Sequence, residues 1–159
     1  MKENTCCFIG NRTINETEEL KTEMTNIIEK LIVEYSVATF LFGSKSRFNS
    51  LSLELVTKMK EKYPHIKRIY VRAEYPDISR DYENYLLENY EETYYPKHIS
   101  DAGKAVYVER NCEMIDKSMF CVFYYDRQMA PATRKSGTKL ALDYASRQEK
   151  HIIKLPALP

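Results

Sequence analysis

Three short polar turns in this chain carry the residue types that hold a phosphate. Gly10-Asn11-Arg12, Gly43-Ser44-Lys45-Ser46-Arg47 and Ser136-Gly137-Thr138 each set a glycine among hydroxyl, amide or cationic side chains. Glycine lets a backbone approach an anion closely, and the unpaired amides and positive dipole end of a following helix attract negative charge. Ser136-Gly137-Thr138 fits this best because it opens a helical pattern, although the same residues also suit a plain helix cap. Neither the dinucleotide fingerprint GxGxxG nor the P-loop GxxxxGK[ST] occurs. The chemistry indicated is therefore anion binding shared among separate turns.

Two carboxylates, Glu54 and Asp126, fall near these turns, where acidic residues hold ribose hydroxyls in dinucleotide sites. The simpler role for either is a solvated surface charge. Lys45, Arg47, Arg134 and Lys135 add local positive charge. His65, His98 and His151 have no metal-ligand spacing, so no metal is expected. Cys6, Cys7, Cys112 and Cys121 show no CxxC spacing, and they read as reduced core thiols. Of 13 tyrosines, Tyr75, Tyr82, Tyr85, Tyr90, Tyr94 and Tyr95 cluster in sequence. They suit a base-stacking platform, or more simply a packed or self-associating surface that leaves a homo-oligomer open.

The elements between the turns must position them. An apolar run over 6–9 reads as a strand, and Leu20, Met24, Ile27, Ile28, Leu31 and Tyr35 follow at helical spacing. Thr13 with Glu16 has the form of a capping box, which starts this helix early and makes the turn at 10–12 very tight. The unit recurs as a strand over 38–42, a polar turn over 43–47, a helix ending near Pro64, and a strand over 68–71. A polar helix is predicted over 79–92, a long cleft-covering loop over 93–108, a short helix over 109–117 and the most apolar strand over 119–124. A helix over 137–148 and a strand over 151–155 complete the chain.

Such alternation with short connections predicts one domain over 1–159 of α/β class. It is a Rossmann-like, doubly wound, mainly parallel sheet with helices on both faces. Ligands of such a sheet bind outside the carboxyl ends of its strands, where the strand order reverses. All three polar turns fall at such ends.

Composition limits the partners. With 24 Lys and Arg against 23 Asp and Glu the net charge is +1, so no global basic field draws the chain to nucleic acid. Any phosphate contact must be local. Residues 1–5 are polar and charged, unlike a secretory leader, and no run approaches the roughly 20 apolar residues of a membrane span. The expectation is a cytoplasmic protein with no membrane partner.

Four runs, taken together, resemble the YpsA-like branch of the SLOG superfamily: Cys6-Cys7-Phe8-Ile9-Gly10-Asn11-Arg12, Phe42-Gly43-Ser44-Lys45-Ser46-Arg47-Phe48-Asn49-Ser50-Leu51, Glu109-Arg110-Asn111-Cys112-Glu113-Met114-Ile115-Asp116-Lys117-Ser118 and Ser136-Gly137-Thr138-Lys139-Leu140-Ala141-Leu142-Asp143-Tyr144-Ala145. The resemblance spans nearly the whole chain, in order. SLOG domains are Rossmann-like and include the DNA-uptake protein DprA and the phosphoribohydrolases called LOG. The resemblance implies a pocket for a nucleotide or nucleotide derivative, with no cofactor required. That pocket would use Gly10, Arg12, Gly43, Ser44, Phe48, Glu54, Arg110, Asn111, Gly137 and Thr138.

The chain departs from the family pattern at three points. Asn11 stands where the first turn would carry a His, and Asn49 follows Phe48 where relatives tend to carry Asp. The hydrolase branch carries PGGxGTxxE with a catalytic glutamate, whereas Lys139, Leu140 and Ala141 follow Thr138 here. Losing an ionisable His and two carboxylates weakens an acid/base reading more than a binding one. The expectation is a non-catalytic binding or sensing domain. A small N-glycosidic-bond enzyme and a single-stranded DNA binder stay open as alternatives.

Overall fold

Alternating apolar and amphipathic segments resolve into a layered α/β structure. The computed structural model describes residues 2–99, 103–129 and 136–156. Among them the chain runs β1 (Thr5–Gly10), α1 (Glu18–Glu34), β2 (Thr39–Phe42), α2 (Arg47–Lys62), β3 (Lys67–Val71), α3 (Arg80–Leu87), β4 (Glu92–Tyr94), α4 (Val106–Asp116), β5 (Phe120–Tyr124), α5 (Gly137–Arg147) and β6 (His151–Leu155). The strands form one parallel sheet in the order β4-β3-β2-β1-β5-β6. No helix among the described residues is long and apolar enough to cross a membrane.

The near-continuous apolar runs of β1 and β5 follow from burial on both faces, as parallel sheets require. Alternate residues point to opposite sides. Cys6 and Phe8 join Phe40, Phe42, Val122 and Tyr124 beneath residues of α1, α2 and α3 such as Met24, Ile28, Leu51 and Leu86. Cys7 and Ile9 join Leu41, Cys121 and Phe123 beneath Met114, Ile115, Ala141 and Ala145 of α4 and α5. The sheet is thus doubly wound, and β1, paired with β2 and β5, lies where the strand order reverses.

Three local expectations need correction. Thr13 and Glu16 do not cap α1. Its cap is Thr17, whose hydroxyl accepts the Leu20 N–H at 3.1 Å, so residues 11–17 make a longer connection than the tight turn expected. Glu16 is engaged elsewhere: Arg47 donates to its two carboxylate oxygens at 2.7 and 2.5 Å, tying this connection to the start of α2. The helix predicted over 79–92 ends at Leu87, and β4 follows as an edge strand beside β3. The loop predicted over 93–108 is shorter, since it gives its first residues to β4 and its last to α4, which begins at Val106.

The β4 edge is held by a charge pair. The Arg68 side chain donates to Glu91 at 3.1 and 2.6 Å, and the Arg68 N–H adds a bond of 2.7 Å. Partial burial alone pushes the Glu91 carboxyl up, but these bonds from Arg68 hold it below the usual carboxylate value. A lowered folded-state value gives stability that is present at neutral pH and lost as the pH falls through the acid range where Glu91 protonates. Thermal melts between pH 7 and pH 3 should therefore show Glu91→Gln with a lower melting temperature at pH 7 and a shallower acid loss than the parent. Parallel pH profiles would remove this pair as a source of acid sensitivity.

Candidate ligand-binding cleft

A cleft of about 650 Å³ opens along the carboxyl ends of β1, β2 and β3 and reaches the start of α5. Nine of the residues expected to bind the ligand line it, namely Gly10, Arg12, Gly43, Ser44, Lys45, Arg110, Asn111, Gly137 and Thr138, together with Ser46 of the second turn and Tyr75 and Tyr82 of the tyrosine cluster. The carboxyl ends of β1 and β5 meet in register at Gly10 and Tyr124. The first turn and the start of α5 therefore border one opening. That convergence was expected from topology.

The first turn is built by Asn11. Its N–H donates to the Tyr124 carbonyl at 3.1 Å, and its side-chain oxygen accepts the Asp126 N–H at 2.8 Å. Asn11 is 4% exposed and clamps the ends of β1 and β5 together, outside the cleft wall. Asp126 in turn accepts the Gln128 N–H at 3.0 Å, shaping its own turn, and it too lies off the wall. Gly10 serves packing: a side chain there would enter the ring of Phe48, which is fully buried beneath it. Phe48 thus supports the turn from below, and exposed Arg12 presents the charge at the wall.

The second turn is self-contained. Asn49 accepts the N–H groups of Gly43 and Ser44 at 3.2 and 3.5 Å, and the Ser44 hydroxyl accepts the Ser46 N–H at 3.2 Å. Ser46 caps α2 by accepting the Asn49 N–H at 3.1 Å. These amides are spent inside the turn, so it is no cradle of free N–H groups. Gly43 has another purpose, because a Cβ there would lie 2.5 Å from the Arg110 Cδ and 2.7 Å from the Met114 sulfur.

Arg110 is the most unusual group in the cleft. It is 5% exposed, donates to the Gly43 carbonyl and to the Asn111 side-chain oxygen, and lies 5.8 Å over the Tyr107 ring. Among the described residues no carboxylate lies within ion-pair distance of it, as none does for Arg12 or Arg72. Burial pulls its pKa down to about 10, with Tyr70 and Glu74 partly opposing the fall. A buried cation without an anionic partner is costly, and an incoming anion would remove that cost.

At the far end of the cleft, Ser136 caps α5 by accepting the Lys139 N–H at 3.0 Å. Among the described residues nothing accepts the N–H of Gly137 or Thr138. No atom lies within 4 Å of where a Gly137 Cβ would point, so this side is open. Thr138 is buried against the same cleft. Glu54 is exposed on α2 and does not line the opening. The Arg134-Lys135 pair lies outside the described residues.

At the β3 end of the cleft, sequence reasoning reached only Tyr75 and Tyr82, as members of the tyrosine cluster. Tyr70, Arg72, Ala73, Glu74 and Tyr75 line this end, with Tyr82 from α3 and Tyr107 from α4. The tyrosine cluster was the available signal, but its period could not say which rings turn inward. The described wall carries four cations, Arg12, Lys45, Arg72 and Arg110, against one carboxylate, Glu74. No group of His, Cys, Asp or Glu among the described residues could hold a metal ion. The cysteines are free thiols: Cys121 is pushed up by its hydrogen bond with Cys7 and by burial, Cys6 by burial and by Cys7, and Cys112 is raised to about 11 by partial burial. The sequence matches no family model and no curated protein.

Proposed function

We propose that this protein binds a nucleotide or nucleotide-derived phosphate at the carboxyl edge of its sheet, as a non-catalytic binding or sensing domain of SLOG type in the cytoplasm. The observation that carries the reading is Arg110, a buried guanidinium on the cleft wall with no carboxylate within ion-pair distance among the described residues. Arg12 and Lys45 add charge to the same wall, and the open start of α5 supplies N–H donors and a positive dipole end. Together these groups suit a phosphate that enters between the β1 turn and α5.

Calorimetric titration with nucleoside monophosphates, diphosphates and ribose 5-phosphate tests the reading. Arg12→Ala should weaken binding by about 1.5–3 kcal/mol, the range for a charge-assisted hydrogen bond, and reduce its salt sensitivity. Gly137→Val should abolish binding by blocking close approach to the amides. Because the space beyond Gly137 is open, circular dichroism should show that variant folded. Unchanged affinity in both folded variants would remove this edge as the site and leave a fold that does not imply function.

One observation favours a second reading, a small enzyme that adds water across an N-glycosidic bond to give free base and a sugar phosphate. Glu74 lines the cleft and would supply the carboxylate missing after Thr138. Under the binding reading, incubation with nucleoside monophosphates releases free base no faster than buffer alone. Turnover that Glu74→Gln abolishes would establish the enzyme instead.

A further inference from the structure

The cleft has two chemically different ends. Neighbouring strands lie about 4.8 Å apart, so the β3 end stands roughly 10 Å from the β1 end. Arg12 and the open amides lie at the β1 and α5 end, Lys45 and Arg110 stand beside the β2 turn in the middle, and the tyrosines gather near β3, where the one cation, Arg72, is bonded to the Tyr75 and Pro76 carbonyls. Tyr75 is 51% exposed and Tyr107 48% exposed although both line a concave surface, so ring area at this end is left uncovered.

These rings are held in place. Tyr75 meets Tyr82 edge-on at 6.2 Å, and Tyr82 stacks on Tyr85 at 6.2 Å while packing against the core. Arg72, 9% exposed, donates to the carbonyls of Tyr75 and Pro76 at 3.0 and 3.4 Å and to the Thr93 hydroxyl at 3.1 Å. A buried guanidinium is thus committed to fixing the backbone that carries Tyr75. Such preorganisation lowers the ordering cost of binding.

We infer that the β3 end is a base-stacking subsite, so that the ligand is a base-bearing nucleotide whose ring lies against Tyr75 and Tyr82 and whose phosphate reaches Arg110. The inference rests on the proposed binding reading for the phosphate, while the rings, Arg72 and the cleft's length carry the base. Arg72 is a positioning residue, acting through the Tyr75 backbone. A bare sugar phosphate would fill only the cationic end.

The test compares the four ribonucleoside 5′-monophosphates, the four matching nucleosides and ribose 5-phosphate on the full chain, by calorimetry. Tyrosine fluorescence gives a second readout, undisturbed by tryptophan because the chain has none. At least one monophosphate should bind more tightly than ribose 5-phosphate. Tyr75→Ala should weaken that nucleotide about 5- to 150-fold, the range for one base–aromatic stack, and leave ribose 5-phosphate unchanged. Tyr82→Leu should act in the same direction, and Arg72→Met should reproduce part of the Tyr75→Ala loss without affecting ribose 5-phosphate. Equal binding of nucleotides and ribose 5-phosphate, unaltered in folded Tyr75→Ala, would overturn the subsite and spare the phosphate reading. Nucleosides that bind through Tyr75 with no gain from a phosphate would support the subsite and remove the phosphate reading. Binding by none of these compounds would overturn both.

Discussion

Arg110→Met is expected to weaken nucleotide binding by about 3–5 kcal/mol, roughly 150- to 5,000-fold, while the protein stays as stable as the parent or gains stability. The two halves have one cause. In the free protein Arg110 is a desolvated cation whose bonds go to the neutral Gly43 carbonyl and Asn111 amide oxygen. Replacing a buried ion pair by apolar residues is often neutral or stabilising by about 1–4 kcal/mol, and an unpaired buried cation has even less Coulombic attraction to lose. The Gly43 carbonyl loses its donor in exchange, a penalty of about 1–3 kcal/mol, so the two terms nearly cancel. In the complex the same guanidinium would face an anion inside a concave site, and removing one partner of a buried pair costs about 3–5 kcal/mol. Thermal melts with and without ligand, beside titrations, read both halves. A large fall in melting temperature with affinity retained would make Arg110 a latch for the second turn and nothing more.

The architecture was legible because it rests on strong, local signals. The strand over 119–124 was bounded to within a residue by a continuous apolar run, and β1 and β2 were found for the same reason, whereas β6, with His151 and Lys154 among its apolar residues, was read from a shorter apolar stretch following a helix. Edge strand β4 was not, because Glu92, Thr93 and Tyr94 show no apolar run, and what fixes them is pairing with β3 and the distant Arg68–Glu91 contact. The start of α1 lies beyond the Thr13–Glu16 pair because Glu16, a capping partner by spacing, is claimed by Arg47 across the fold.

Legibility in the cleft followed the same division. Turn glycines at strand ends mark the edge, and eight residues of the three turns line one opening, joined by Arg110 and Asn111, which the family resemblance supplied. The purpose of each glycine was hidden, since it depends on what packs against it in space: Phe48 under Gly10, Arg110 and Met114 against Gly43, and nothing within 4 Å of Gly137. Asn11 and Asn49 illustrate the limit further. By residue type both could meet a ligand, yet each is 4% exposed and spent on backbone N–H groups that shape a turn. Of the β3 wall the sequence showed Tyr75 and Tyr82 within a tyrosine cluster, but not that these two turn into the cleft with Tyr70, Arg72 and Glu74, nor that Tyr107 joins them from α4.

The largest stability effect is expected at Gly10. Its Cβ position overlaps the Phe48 ring, so Gly10→Ala forces that ring or the β1 end to move. Phe48 has little freedom to yield: it is fully buried, its ring lies 6.4 Å from Phe8 and 5.7 Å from Tyr124, and it sits in the first turn of α2. Overpacking of this kind costs about 1–3 kcal/mol, and the upper end is expected because the clash is with a ring fixed on several sides. For a chain of this length that lowers the melting temperature by roughly 5–10 °C. In a Phe48→Leu background, which is itself destabilised but leaves room at the ring edge, adding Gly10→Ala should cost clearly less, a coupling expected of residues in contact. Additive losses would show that the ring is not what Gly10 avoids. If Gly10→Ala instead melts with the parent and loses only nucleotide affinity, Gly10 is a glycine for the sake of the ligand, as its position at the carboxyl end of β1 first suggested.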